Sequence, residues 1–147
     1  MLIALWLLLG LLLGTAFLVF ARTKQRGERR FLAVSLVVVA LVYVGFATAG
    51  GASAVWLGLE LLSAVFYGAL AWAGLRSSLW WLAVGWMAHP AWDVVLHYFG
   101  NGSEFTPAWF AIGCVSFDFL VAAYLAVQAW ERPNTAFNPA AQKPRAS

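Results

Sequence analysis

The sequence predicts an all-α, polytopic membrane protein: a five-transmembrane-helix bundle with its N-terminus outside and its C-terminus in the cytoplasm. Composition is the first observation behind this. Of 147 residues, 63% are apolar and 10% charged, where a soluble domain carries roughly 45–50% and about 25%. With a mean hydropathy of +0.81, the chain has too little charge to cover a water-facing surface. The second observation is that the apolar residues gather into five stretches, residues 2–21, 31–49, 54–75, 79–99 and 108–130. Each has about the 20 helical residues needed to cross a hydrocarbon core of about 30 Å. The third is the one-sided placement of the basic residues, described below.

The same numbers exclude other classes. The apolar content is too high for disorder, and a lone Cys114 cannot make a disulfide scaffold. The net charge of +3 is not a nucleic-acid signal, because in a membrane protein the location of the basic residues carries the information.

In chain order, the first stretch resembles a signal peptide only superficially. No basic segment precedes it and the charges follow it, so it is expected to be retained. Gly10 and Gly14 form a GxxxG on it, a pattern that permits close helix approach and leaves a homo-oligomer open. The dividers that follow are a basic loop RTKQRGERR, a Gly/Ser turn AGGAS, a tight polar turn RSS and a polar loop GNGSEFTP. Residues 1–130 are expected to form one membrane domain, and residues 131–147 a flexible cytoplasmic tail.

Lipid offers no partner for backbone polar groups, so the spans must be helices, and the short connections make sequential helices antiparallel. Arg22, Lys24, Arg26, Arg29, Arg30, Arg76, Arg132, Lys143 and Arg145 then all fall on one side. The excess of Lys and Arg on cytoplasmic loops places that side inside. A multi-pass protein of the bacterial inner (plasma) membrane is the expected location.

Glu60, Asp93 and Asp118 lie inside spans, together with His89 and His97. An ionisable group at the bilayer centre costs at least about 2.5–3.5 kcal/mol, so such groups turn inward, pair and serve function. Counted by helical rise from the outer ends of the spans, Glu60, Asp93 and Cys114 lie about 9 Å deep, and His89 and Asp118 about 15 Å. His97 falls near the outer mouth. His89, Asp93 and His97 are spaced i, i+4, i+8, on one slowly drifting helix face. Cys114 and Asp118 share a face, as do Trp56, Glu60, Ser63 and Tyr67. Matched depth on three helices predicts that Glu60, Asp93 and Asp118 converge with His89 on one cavity opening toward the outer face. Pro90 removes a backbone hydrogen bond and is expected to kink its helix beside His89.

Most tryptophans fit interfacial belts, Trp6, Trp56 and Trp109 outside and Trp72, Trp80, Trp81 and Trp130 inside. Trp86 and Trp92 are deeper and, with Ser63, Tyr67 and Cys114, are candidates for the walls of a substrate pocket.

Two chemistries fit these residue types. One is a bound divalent transition metal, with His89, Asp93, His97, Glu60 and Asp118 as candidate ligands. H-x3-D-x3-H has no unique meaning, and His89 and His97 lie about 12 Å apart along the helix, too far to share an ion. The other is metal-free acid/base catalysis by Asp93, His89, Glu60 and Asp118, because carboxylates in an apolar pocket can be held as acids. Either suits an integral-membrane enzyme, an isomerase or cyclase or a metal-dependent hydrolase. Its substrate would be lipid-like or isoprenoid, undergoing isomerisation, hydration or cyclisation. The partners expected are membrane lipid and an apolar small molecule, with no nucleic acid. A metal-ion or proton binding or translocating protein, and a structural membrane subunit, are the competing classes.

H-P-A-W-D-V-V-L-H followed by C-V-S-F-D on the next span resembles an uncharacterised family of small bacterial integral membrane proteins, mainly over residues 79–125. That resemblance implies no established activity. A looser similarity is to membrane sterol isomerases, in which a His and a carboxylate four apart face another acidic residue. His89, Asp93 and Glu60 match that pattern here, without the other signatures of that family, which leaves an analogy of chemistry.

Overall fold

The computed structural model of the chain describes residues 1–131, and its regular structure there is entirely helical. The helices are α1 (Leu2–Thr23), α2 (Glu28–Ala49), α3 (Ala54–Arg76), α4 (Leu79–Trp92) and α5 (Ala108–Glu131). The fourth continues without a break into a π-helical segment, Asp93–Tyr98, and short 3-10 turns occupy Gln25–Gly27 and Asn101–Glu104. Of the tail expected over residues 131–147, Glu131 ends α5 and the remainder lies outside the described residues.

Four helices, α1, α2, α3 and α5, are long and apolar enough to cross a membrane, which marks the chain as a membrane protein. The fourth expected span differs in kind. Its α-helical part stops after 14 residues and its last six wind as a π-helix.

The helix boundaries follow from local chemistry. The α2–α3 connection ends α2 in a Schellman arrangement: Gly51 N–H donates to Thr48 O (3.3 Å) and Ala52 N–H to Ala47 O (2.9 Å). Gly51 takes φ +67°, a left-handed conformation that favours glycine. Ser53 then caps α3 by accepting from Trp56 N–H, and Ser78 caps α4 by accepting from Trp80 N–H.

Around the bundle, α1 packs on α5, α5 on α4, α4 on α3 and α3 on α2, while α1 and α2 barely touch. The GxxxG of α1 makes its seam with α5. A Cβ at Gly10 would overlap the Gly113 carbonyl, and one at Gly14 would come within 3.3 Å of Phe117. Ser116 Oγ donates across the same seam to Leu7 O at 2.6 Å. The motif therefore serves packing within the chain.

The basic end of the bundle is tied together by side chains. Arg29 Nε donates to the Gly74 carbonyl at 2.7 Å, and Arg22 Nε to Tyr124 Oη at 3.1 Å. Tyr124 in turn donates to Glu28. These contacts set the α1–α2 loop beside the α3–α4 turn, as antiparallel neighbours require. Between this end and the polar core lies an apolar layer that includes Leu32, Leu36, Leu82, Trp86, Val121 and Leu125.

Candidate active site

Five ionisable side chains, Glu60, His89, Asp93, His97 and Asp118, are fully buried, each at 0% exposure. Their helices bring them into two hydrogen-bonded groups. In the first, His89 Nδ1 lies 2.9 Å from Asp118 Oδ2 and 3.3 Å from Asp93 Oδ2. In the second, His97 Nε2 lies 2.9 Å from Glu60 Oε1. Tyr43 of α2, also buried, joins them: its ring centroid is 4.3 Å from that of His97 and 5.6 Å from that of His89.

Helical rise alone keeps His97 about 12 Å from His89, and the change of winding at Asp93 accompanies the pairing of His97 with Glu60 rather than with Asp93. In an α-helix the i, i+4, i+8 set would stay stacked. Pro90 lacks an N–H and crowds the carbonyl four residues earlier. Just after it, Asp93 begins the π-helical segment, whose register shows in the bond from Phe99 N–H to Val94 O, 3.0 Å and five residues apart. A wider turn sends His97 toward α3 and Glu60 rather than back along the α4 face. Single π turns of this kind recur at functional sites.

His97 was expected at an open outer mouth, and the structure corrects this. The Asn101–Glu104 turn and Phe105 cover it, with the Phe105 ring 5.9 Å away. A Cβ at Gly102 would come within 2.7 Å of His97 Cδ2, so glycine is what lets this cover close so tightly.

A cavity that reaches Asp118 lies at the side of the bundle, between α1, α2 and α5. Its volume is about 270 Å³, and its walls include Leu13 of α1, Val39 and Val42 of α2, and Phe110, Cys114 and Asp118 of α5. Asp118 is the one carboxylate in this lining. This cavity is apolar and lateral.

The expected pocket residues take separate places. Cys114 lines the cavity. Tyr67 packs edge-on against His89, centroids 5.0 Å apart. Ser63 donates to the Glu60 backbone carbonyl at 2.8 Å and so stays within α3. Trp86 is core: it is fully buried, its indole N–H donates to Leu32 O at 3.3 Å, and its ring contacts Phe17 and Phe117. Trp92 is half-buried, with its indole N–H unpartnered. Tyr43 was missed by sequence reasoning, although a tyrosine within an otherwise apolar α2 was a visible signal.

The site also holds polar atoms without a protein partner: Tyr43 Oη, Glu60 Oε2, His89 Nε2, both carboxylate oxygens of Asp93, His97 Nδ1 and Asp118 Oδ1. Each unsatisfied buried group costs about 1–3 kcal/mol. Each histidine holds one ring nitrogen against a carboxylate and leaves the other unpartnered, the arrangement by which a carboxylate sets the tautomer of a proton-transferring imidazole.

Fold and site together define a small, all-helical membrane protein built around a buried cluster of histidines and carboxylates. By sequence the chain belongs to the family of unknown function DUF6010, whose model matches residues 2–131, the whole helical region. No curated protein and no solved structure matches the chain.

Proposed function

We propose that this protein is an integral-membrane enzyme that carries out acid/base or metal-assisted chemistry on a lipid-like or isoprenoid substrate, such as isomerisation, hydration or cyclisation. In this reading the chain crosses the bacterial inner membrane five times with its N-terminus outside. The π-helical segment completes the fourth crossing, and the basic end lies in the cytoplasm.

The observation that carries the reading is the lateral cavity with Asp118 in its wall. A volume of about 270 Å³ is just below the range of about 300–1,000 Å³ in which pockets enclose drug-sized ligands. It suits a segment of a hydrocarbon chain rather than a whole lipid. A seam between α1 and α2 faces the bilayer, where such chains are abundant. Asp118 links this space to His89 and Asp93, the central pair, while His97, oriented by Glu60, offers Nδ1 as a base.

The test is untargeted lipid analysis of membranes containing the wild-type protein or Asp118→Asn at equal levels. A lipid or isoprenoid product should accumulate only with the wild type. Indistinguishable profiles would reject the reading.

A second reading, proton or metal-ion translocation, draws on the continuity of the core, in which Tyr43 bridges the His97 and His89 groups. Proteoliposomes loaded with a pH dye separate the two, since only a translocator collapses an imposed gradient.

A further inference from the structure

We infer that His89, Asp93 and Asp118 form a binding site for a divalent first-row transition metal ion. This deepens the enzymatic reading by naming what occupies its acidic centre. Its readout is metal content rather than turnover, so one can fail while the other stands.

Charge is the first argument. Asp93 is fully buried, and neither of its carboxylate oxygens has a hydrogen-bond donor. Asp118 has one oxygen on His89 and the other unpartnered. Two buried carboxylates around one imidazole need either protons or a cation, since an uncompensated charge removed from water costs several kcal/mol. A single divalent cation balances both. His89 is the one cationic candidate within reach among the described residues, and its single Nδ1 faces both acids.

Geometry is the second. Ligand nitrogens and oxygens sit about 2.1 Å from a zinc-like ion. Two such donors are separated by about 3.0 Å at a right angle and by about 3.4 Å at the tetrahedral angle. The separations from His89 Nδ1 are 2.9 Å to Asp118 and 3.3 Å to Asp93. One donor atom from each of the three residues lies within 4.8 Å of the others. Glu60 and His97 are left outside, because they are engaged with each other.

The donor set indicates the class of ion. Imidazole favours zinc, iron or copper over magnesium and calcium, and two carboxylates add tolerance for manganese. Three protein ligands leave room for a further one, as in catalytic rather than structural sites. Binding removes the Nδ1 proton of His89, which moves to the unpartnered Nε2 of a neutral ring or is released to solvent from an imidazolium, because only the deprotonated nitrogen ligates.

The experiment uses the full chain purified in mild detergent without chelator, with metal measured by mass spectrometry. The protein is then stripped and re-equilibrated with Zn²⁺, Mn²⁺ or Mg²⁺ alone. Stoichiometric transition metal is expected, with Mg²⁺ not retained. The Asp93→Asn/Asp118→Asn double variant should retain at least about tenfold less, and Glu60→Gln as much as the wild type. Saturating Zn²⁺ should also raise the unfolding temperature of the stripped wild-type protein, a readout independent of whether the double variant folds. Two results would overturn the inference. One is wild-type protein that carries no transition metal, takes up neither Zn²⁺ nor Mn²⁺ and shows no thermal shift. The other is undiminished retention in a folded double variant.

Discussion

His97, near the end of the fourth helix, holds Nε2 2.9 Å from Glu60 Oε1 of α3, with both side chains fully buried. This pair closes one end of the polar core and depends on the π-helical winding that turns His97 away from the α4 stripe. Because Nδ1 of the same ring has no partner, the pair has both a structural and a chemical consequence, and substitutions at Glu60 should separate them. Glu60→Gln keeps an oxygen that accepts from His97 and should preserve the fold while lowering activity. Glu60→Leu leaves the imidazole with both nitrogens unpartnered, and should destabilise by about 1–3 kcal/mol. Thermal unfolding in detergent, alongside turnover or growth complementation, reads both effects.

Asp93 shows the opposite balance, since neither of its oxygens accepts a hydrogen bond. Asp93→Asn removes a buried charge at nearly constant volume and should insert and accumulate at wild-type levels. Function should fall at least about 100-fold, because an amide is a poor base and a poor ligand. Normal function at normal abundance would show Asp93 to be dispensable.

The α1–α5 seam is predicted to be intolerant at one position. Gly10→Val places a branched side chain against the Gly113 backbone and Ser116 Oγ, and backbone there cannot yield as a flexible side chain would. A loss of about 1–3 kcal/mol is expected. Gly45, with nothing within 4 Å of a Cβ, is the matched control, and Gly45→Val should be close to neutral in thermal unfolding.

Topology follows from the basic residues. Reporter fusions should place the N-terminus outside and the C-terminus in the cytoplasm, because in the proposed five-crossing topology the sequence puts all nine Lys and Arg on one side. Reversing the charges of Arg29 and Arg30 should weaken this orientation, as seen in a dual topology reporter. A C-terminal fusion active only in the periplasm would contradict the assignment.

The sequence by itself determined the class and the ingredients. Hydropathy, helical repeat and turn chemistry are local properties, so the helices, the Gly/Ser boundaries and the burial of Glu60, His89, Asp93, His97 and Asp118 were legible residue by residue. Matched depth predicted Glu60, Asp93 and Asp118 around His89, and Asp93 and Asp118 do meet it, whereas Glu60 pairs with His97 instead, because depth from helical rise does not fix which way a side chain faces. The tertiary structure decided which groups pair, because pairing depends on rotation about the helix axes as well as depth. A π turn after Pro90 alters that rotation without any change in hydropathy, and so divides H-x3-D-x3-H between Asp118 and Glu60. Tyr43 joins the core because α2 packs on α3 rather than on α1, a choice made by side-chain fit across the bundle. The lateral position of the cavity has the same origin: small residues at Gly10, Gly14 and Gly113 draw α1 onto α5 and leave the seam with α2 open.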